Sequence, residues 1–524
     1  MMRWLHINWT ESATAFWMSI KKFRHEKKKG TMKLAMKEMS FIKEKKIKPG
    51  AIILFLLIQT VFLLIFSYMT SPLFPYAHGW DSAFFQHVGA SMAKGYLPYR
   101  DFFDMKGPWL FLIEWFGQLF IYGRTGVFLM QYLNLCVVLF LCYRIHEHFF
   151  EGVGIWKKFI ALIPFFLILA PTMEGGNNTE EWSLSFLFLS LYFALDYIIS
   201  DKKEHRPSYA FIYGCCFGVL SLIRIINAVL ICAIVLTITV SLFMEKKWKN
   251  LAYNALAFIA GVIAAFIPPL LYFGYYGEIK NMLYCTFVFG FIYGTEGEGF
   301  GFGTGALYLF TLLFLIISFI ISGVKNRRMW ILAVAYSAGM FVTLQMGNST
   351  MHDYMLIIPG VMLGVWQLMA AFADKKMVFG RRCIAVIALL ICFAYPCYKM
   401  LGVCKEMIHQ TSDTTNYDSV MDIVSHIPEE DYDSVWGYVI HLRFYSITDI
   451  IPYSKYCGWQ EHYMELSPQI EEEIMQMLRE TPPKWIVVRT SIEIENQKVK
   501  SVIENEYEVY HVNSMYTLYR NITE

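Results

Sequence analysis

The sequence predicts a mainly α-helical, polytopic membrane bundle followed by a small α/β domain. Three observations predict it. Of 524 residues, 56% are hydrophobic and 17% charged, where a soluble domain carries roughly 45–50% and about 25%. The 43 Phe, 33 Tyr and 14 Trp suit a chain whose aromatic side chains gather at the two faces of a bilayer. Beyond residue 400 the composition turns acidic. There about 9 Lys and Arg meet about 21 Asp and Glu, roughly −12 beneath an overall +2. These figures exclude a secreted disulfide scaffold, a disordered chain and a water-soluble enzyme of this length.

The first element, residues 1–50, is basic, with runs KKFRHEKKK and KEKKIK. Beside an apolar span, such clusters mark the cytoplasmic side and attract anionic lipid. No folded basic module accompanies them, so no nucleic-acid partner is expected. No signal peptide is expected either, because the first apolar run starts late and lacks a cleavage site. A hydrocarbon core of about 30 Å takes about 20 apolar helical residues. Spans are read near 51–69, 126–144, 157–171, 182–199, 208–222, 226–243, 251–273, 304–323, 329–346, 353–373 and 383–400, about eleven in all. Arg144 with Lys157 and Lys158, then DKKEHR, EKKWK, VKNRR and DKKMVFGRR, fall in alternate loops that share a side with the basic amino terminus. The positive-inside rule then places the amino terminus in the cytoplasm and the carboxyl terminus outside.

The outer loops hold the unusual residues. In the first, about 70–125, SAFFQHVGASMAKG and PWLFLIEWFGQLF read as amphipathic helices at the membrane face. From 401 to 524, SVWGYVI and KWIVVRT read as buried strands and SPQIEEEIMQMLRETPP as an amphipathic helix. YEVYHV and MYTLYR read as a strand pair turning at Asn513–Ser514. The organisation is thus a cytoplasmic 1–50 segment, a membrane domain over 51–400 and an extracytoplasmic domain over 401–524.

Asp81 follows the first span in HGWDSAFF, and PYRDFFDMKGPWLF comes next, with Asp101, Asp104 and Lys106. A carboxylate among aromatics outside a span is partly desolvated and a better base. Lys106 could hold an anionic group. The plainer alternatives are Asp81 as a helix N-cap and Lys106 as a snorkelling interface residue.

An acid after the first span, an amphipathic helix and then YRDFFDMKGPWLFLIEW resemble the first external loop of GT-C fold glycosyltransferases. The pattern is most similar to the protein O-mannosyltransferase and aminoarabinose transferase group, which has an acidic pair and a tract like YxDKPPLLYW. Ser82 stands here in place of the second acid, and Lys106-Gly107-Pro108 in place of Lys-Pro-Pro. The resemblance implies an enzyme of a bacterial cell membrane. It would move a hexosyl or pentosyl group from a polyprenyl-phosphate donor to a glycan, lipid or protein hydroxyl, with inversion. Asp81 falls on the family's catalytic carboxylate, which would take the acceptor's proton. The leaving phosphate needs cations, and Lys106 and Arg224 are candidates. Arg224 lies in SLIRIINA between two spans, where a charge is a functional hypothesis by default.

Glu174, Glu180 and Glu181 in MEGGNNTEEW stand where the family carries a second acidic motif. With Asp101 and Asp104 they are candidates to bind sugar or acceptor, the alternative for the glutamates being a helix cap. His352 and Asp353, in GNSTMHDYMLIIPG, resemble a His-Tyr tract of the family, and His352 is a third candidate for the carrier phosphate, the alternative being a polar helix cap. Other signals are discounted. Glycines 297 to 305 lack the strand and Lys-Ser/Thr of a phosphate loop. His146 and His148 lack i, i+4 zinc spacing. The sequons at Asn177 and Asn348 say little, and Cys215–Cys216 is not a C-x-x-C pair. No cofactor is called for, and metal dependence stays open because no external loop carries a D-x-D triplet. A transporter would show repeated halves and interrupted helices at mid-membrane. A non-catalytic protein with an external binding domain would leave the first-loop pattern unexplained.

Overall fold

The structure is a computed structural model that describes residues 49–150, 159–200, 202–294, 302–346, 350–374 and 377–523. The basic amino-terminal runs, Lys157 and Lys158, the glycines from Gly297 to Gly301 and Asn348 lie outside the described residues. Packing divides the chain after Leu57, within the first described helix, and every contact discussed below belongs to the unit Ile58–Glu524.

The bundle is built from α1 (Pro49–Phe66), α2 (Asp81–Ala93), α3 (Pro108–Gln118), α4 (Arg124–Glu147), α5 (Ile163–Thr172), α6 (Thr179–Ile199) and α7 (Pro207–Ser221). It continues through α8 (Val229–Met244), α9 (Trp248–Tyr275), α10 (Phe302–Ser322), α11 (Arg327–Met346), α12 (Ile358–Ala373) and α13 (Phe379–Ser412). Each expected span coincides with one of these helices. Among the described residues, seven helices are long and apolar enough to cross a membrane, and α1, α5, α7 and α10 contain shorter apolar helices. Large apolar side chains such as Leu256 and Leu271 on α9 and Leu390 on α13 are exposed, as a lipid-facing surface requires. The last helix does not stop near residue 400. It runs 34 residues, about 51 Å, so position 401 lies within it and the chain leaves the bundle as helix.

Helices associate in a bilayer where small residues let backbones approach. The closest packing, between α7 and α9, is of this kind. A Cβ on Gly214 would stand 2.0 Å from Phe258 O, one on Gly261 2.1 Å from Phe211 O, and one on Gly218 2.6 Å from the Ala265 Cβ. Because α7 ends just before Arg224, this seam sets the height of that side chain.

The carboxyl-terminal domain follows α14 (Thr415–Ser425). It contains β1 (Val435–Tyr438), α15 (Arg443–Thr448), α16 (Gln460–Leu466), α17 (Pro468–Glu480), β2 (Trp485–Arg489), α18 (Gln497–Glu506), β3 (Tyr507–Val512) and β4 (Tyr516–Asn521). The sheet order is β1-β2-β4-β3. β1 and β2 are parallel, the β3–β4 hairpin is antiparallel, and β4 closes antiparallel on β2. Alternation and apolar runs had marked all four strands. Ile470, Ile474 and Leu478 line the buried stripe of α17, spaced as one helical face requires.

One expectation is corrected. The sequence predicts α2 as an amphipathic helix lying at the membrane face, yet every residue from Ser82 to Met92 is buried within the protein. The carboxyl-terminal domain covers the side that carries His87. His87 stacks on Tyr445 at 5.8 Å, and Lys94 pairs with Asp449 at 2.6 Å. The backbone N–H of Phe103 donates to Lys455 O at 2.9 Å.

The α7–α9 seam yields a prediction. In Gly261→Val the new side chain meets backbone, which cannot rotate away, so the helices must separate. The expected destabilisation is about 1–3 kcal/mol, read as a lowered thermal midpoint in detergent. A midpoint equal to the parent's would mean the two helices are not in contact there.

Candidate active site

A polar cavity of about 210 Å³ opens between the bundle and the carboxyl-terminal domain. It is lined by Asp81, Phe84 and Phe85 of α2, the Asp104–Lys106 turn, Asn178, Thr179 and Glu180 at the start of α6, and Arg224. Tyr293, Thr350, His352 and Asp353 add a further wall, and Leu442, Trp459 and Tyr463 close it from the carboxyl-terminal domain. Six of the nine residues singled out by sequence thus face one space: Asp81, Asp104, Lys106, Glu180, Arg224 and His352.

Asp81 opens α2, but the capping position falls on Trp80. Among the described residues no hydrogen bond reaches the Asp81 carboxylate, so it is not spent on capping. Trp80 fixes the helix start instead, meeting His441 edge-on at 3.9 Å. The Arg443 and Arg489 guanidinium groups lie 5.7 and 5.9 Å from its ring.

Asp104 is buried and accepts the backbone N–H of Lys106. Burial raises its carboxyl from 3.8 to about 6, against the opposing pull of the Lys106 charge and N–H. The turn is held from behind. Tyr99 Oη donates to Lys106 O at 2.8 Å, Gly107 N to Ile223 O at 2.8 Å and Trp109 N to Leu222 O at 3.0 Å. The Lys106 ammonium makes no ion pair among the described residues.

Arg224 is differently placed. Its Nη1 donates to Glu180 Oε1 at 2.9 Å and to Asp353 Oδ1 at 3.0 Å. Thr179 Oγ1 also donates to Glu180 Oε1, at 2.7 Å, and Thr350 Oγ1 to Asp353 Oδ2 at 2.9 Å. His352 has both ring nitrogens engaged, Nδ1 with Glu174 Oε2 at 2.6 Å and Nε2 with Thr350 Oγ1 at 3.0 Å. Glu174 through Asn177 all take positive φ, a tight turn that carries Glu174 to His352 and swings Glu181 inward. There the Glu181 carboxylate accepts Asn177 N at 2.7 Å and Gln131 Nε2 at 2.8 Å.

Glu174 and Glu181 therefore support the wall without lining the cavity. Asp101 is also outside it, closing its own turn by accepting Leu97 N at 2.7 Å and pairing with Arg100. Asn177 is fully buried, with Oδ1 accepting Trp182 Nε1 at 3.1 Å, so its sequon is structural. Sequence reasoning gave no role to Asp353, Trp459 or Tyr463. Asp353 adjoins His352, and that adjacency was the available signal; nothing local announces the other two.

A helical membrane bundle with an elaborate first loop, a polar cavity beneath it and a small terminal α/β domain is the GT-C fold. The structure is similar to that of ArnT from Cupriavidus metallidurans bound to undecaprenyl phosphate, with a TM-score of 0.57 and 13% identity over 91% of this chain and 99% of that one. The apo state of the same aminoarabinose transferase gives 0.55 and 12% over 89% and 98%. Neither a protein-family model nor a curated protein sequence matches the chain.

Asp104 makes stability depend on pH. Its native value is raised, so the unfolded chain loses this proton first as pH climbs. The stability it confers is full below about pH 4 and is lost on the way to about pH 6, by at most about 3 kcal/mol. Asp104→Asn keeps an acceptor for Lys106 N and removes the charge. Thermal unfolding should show it stabilised relative to the parent at pH 7.5 and little changed at pH 4. Equal differences at the two pH values would contradict the burial of this carboxyl.

Proposed function

We propose that the protein transfers a sugar from a polyprenyl-phosphate donor to an acceptor hydroxyl, with Asp81 as base. The observation that carries this reading is the presence in one cavity of the Asp81 carboxylate and the Lys106 ammonium, neither of which makes a side-chain hydrogen bond or ion pair among the described residues. An apolar cavity of about 300 Å³ supports it. Its walls are Ile168 and Pro171 of α5, Phe310 of α10, Val361 of α12 and Ile391 and Pro396 of α13, together with Met351 and Tyr354, which flank His352 and Asp353. A charged head group and an isoprenoid tail would thus find adjacent chambers, and a neighbour of the same fold is bound to undecaprenyl phosphate.

In this mechanism Asp81 takes the proton of the acceptor hydroxyl as its oxygen attacks the anomeric carbon. The bond from that carbon to the phosphate oxygen breaks on the opposite face, so configuration inverts. Charge gathering on the departing phosphate is met by Lys106, through interactions strengthened by a desolvated site. Arg224 and His352 contribute mainly by holding Glu180, Asp353 and Glu174 in place, Glu180 and Asp353 to accept hydrogen bonds from sugar or acceptor hydroxyls. Remaining N–H groups of Arg224 can reach the phosphate. The 1–50 segment is cytoplasmic in this reading, the 51–400 bundle is the catalytic domain, and the 401–524 segment lies outside, so transfer occurs at the outer face.

Two variants test the assignment. Asp81→Asn preserves shape and should still bind polyprenyl-phosphate sugar, while transfer falls by about 10²–10⁴, the usual contribution of a positioned base. Transfer at the parental rate would remove Asp81 from the chemistry. Lys106→Ala should weaken donor binding roughly ten- to a hundredfold, the worth of one charge-assisted contact. Unchanged donor affinity would return Lys106 to an interfacial role.

A further inference from the structure

We infer that Asp422, His426 and His511 of the carboxyl-terminal domain form a binding site for a divalent transition metal, with Zn²⁺ the ion that fits best. Asp422 and His426 are four residues apart, at the end of α14 and just beyond it, so they emerge on one side. β3 brings His511 beside them, and the register shift between Val509 and His511 is a bulge of the kind that re-aims a side chain. One ligand atom from each residue lies within 4.8 Å of the other two. Asp422 Oδ2 is 2.9 Å from His511 Nε2, and the two imidazoles stack at 3.7 Å with 16° between their planes. Two ligands of a tetrahedral zinc stand roughly 3.3 Å apart, so the ion would be seated by rotation of the two stacked rings about their side-chain bonds and release of the hydrogen that His511 shares with Asp422.

The surrounding hydrogen bonds also have the form of a metal site. His426 Nδ1 lies 2.8 Å from the backbone oxygen of Asp422. A carbonyl only accepts, so Nδ1 carries the hydrogen and the neutral ring keeps its lone pair on Nε2. Metal-binding histidines are oriented in this way by their outer partner. Asn513 Nδ2 donates to Asp422 Oδ2 at 2.8 Å and to Ser419 O at 2.9 Å, fixing the carboxylate from behind. The Asp422 and His511 side chains are 43% and 29% exposed, which leaves room for entry and for water as a fourth ligand. Two imidazoles and a carboxylate suit zinc rather than Mg²⁺ or Ca²⁺, which prefer oxygen. None of the three lines the polar cavity, so the ion would clip α14 to the β3–β4 hairpin rather than join the transfer reaction.

The test uses the whole protein in detergent, stripped with a chelator and titrated with Zn²⁺ by calorimetry and by thermal unfolding. The expected result is one saturable site per chain and an upward shift of the thermal transition, since an ion bound only to the folded state stabilises it. The double variant His426→Ala, His511→Ala should lose both. Asp422→Asn retains an acceptor oxygen for Asn513 and His511, so its metal-free transition should match the parent's while Zn²⁺ affinity drops by more than about tenfold. This variant decides the matter even if the double variant fails to fold. No saturable binding to the parent, or parental affinity in Asp422→Asn, would overturn the proposal.

Discussion

Two backbone hydrogen bonds join the turn at Gly107 to the turn at Leu222–Ile223, and on this seam the geometry of the cavity depends. Gly107 N donates to Ile223 O and Trp109 N to Leu222 O, so the residues on either side, Lys106 and Arg224, are delivered to the same space. A Cβ at position 107 would stand 2.1 Å from Leu222 O, a contact with backbone that only movement of the whole turn relieves. Proline there would also lack the N–H that makes the bond. The departure from the Lys-Pro-Pro pattern thus has a local reason: this chain closes the gap between its first loop and α7 by direct backbone contact. The Gly214–Gly261 approach completes the chain of constraint by pinning α7 to α9.

Around this frame the charges are unevenly distributed. Carboxylates from Asp81, Asp104, Glu180 and Asp353 face the cavity, while Arg224 is shared between two of them. A half-buried arginine between two buried acids is held by both and holds both, and removing it leaves two buried carboxylates without their counter-charge. Such a triad organises a wall. Lys106, by contrast, makes no ion pair among the described residues, a difference of setting that identical formal charge conceals.

Much of the fold was legible because the signals are local. Apolar runs marked the helices and the buried strands β1 and β2, and alternation marked β3 and β4 with their turn at Asn513–Ser514. Asp81, Asp104, Lys106, Glu180, Arg224 and His352 were legible as a set because charge beside a span is conspicuous. The full burial of α2 was not, since the side carrying His87 is covered by α15, some three hundred and fifty residues later by number. The engagement of Arg224 by Asp353 depends on how two distant turns meet. Asp422 and His426 show helical spacing in the sequence, but His511 joins them only through the bulge in β3, which no local pattern reveals.

Leu442, Trp459 and Tyr463 close the cavity from the last part of the chain, and this bears on how the molecule comes into being. Synthesis runs from the amino terminus, so the helices can enter the bilayer and the Gly107 seam can form while one wall is still missing. Until the terminal domain folds and docks, the side of α2 that carries His87 has no cover and the Lys106 chamber stands open to water. Docking of this domain is therefore also the event that encloses the chamber, so a protein without residues 442–463 would carry the same charged groups in an open cleft.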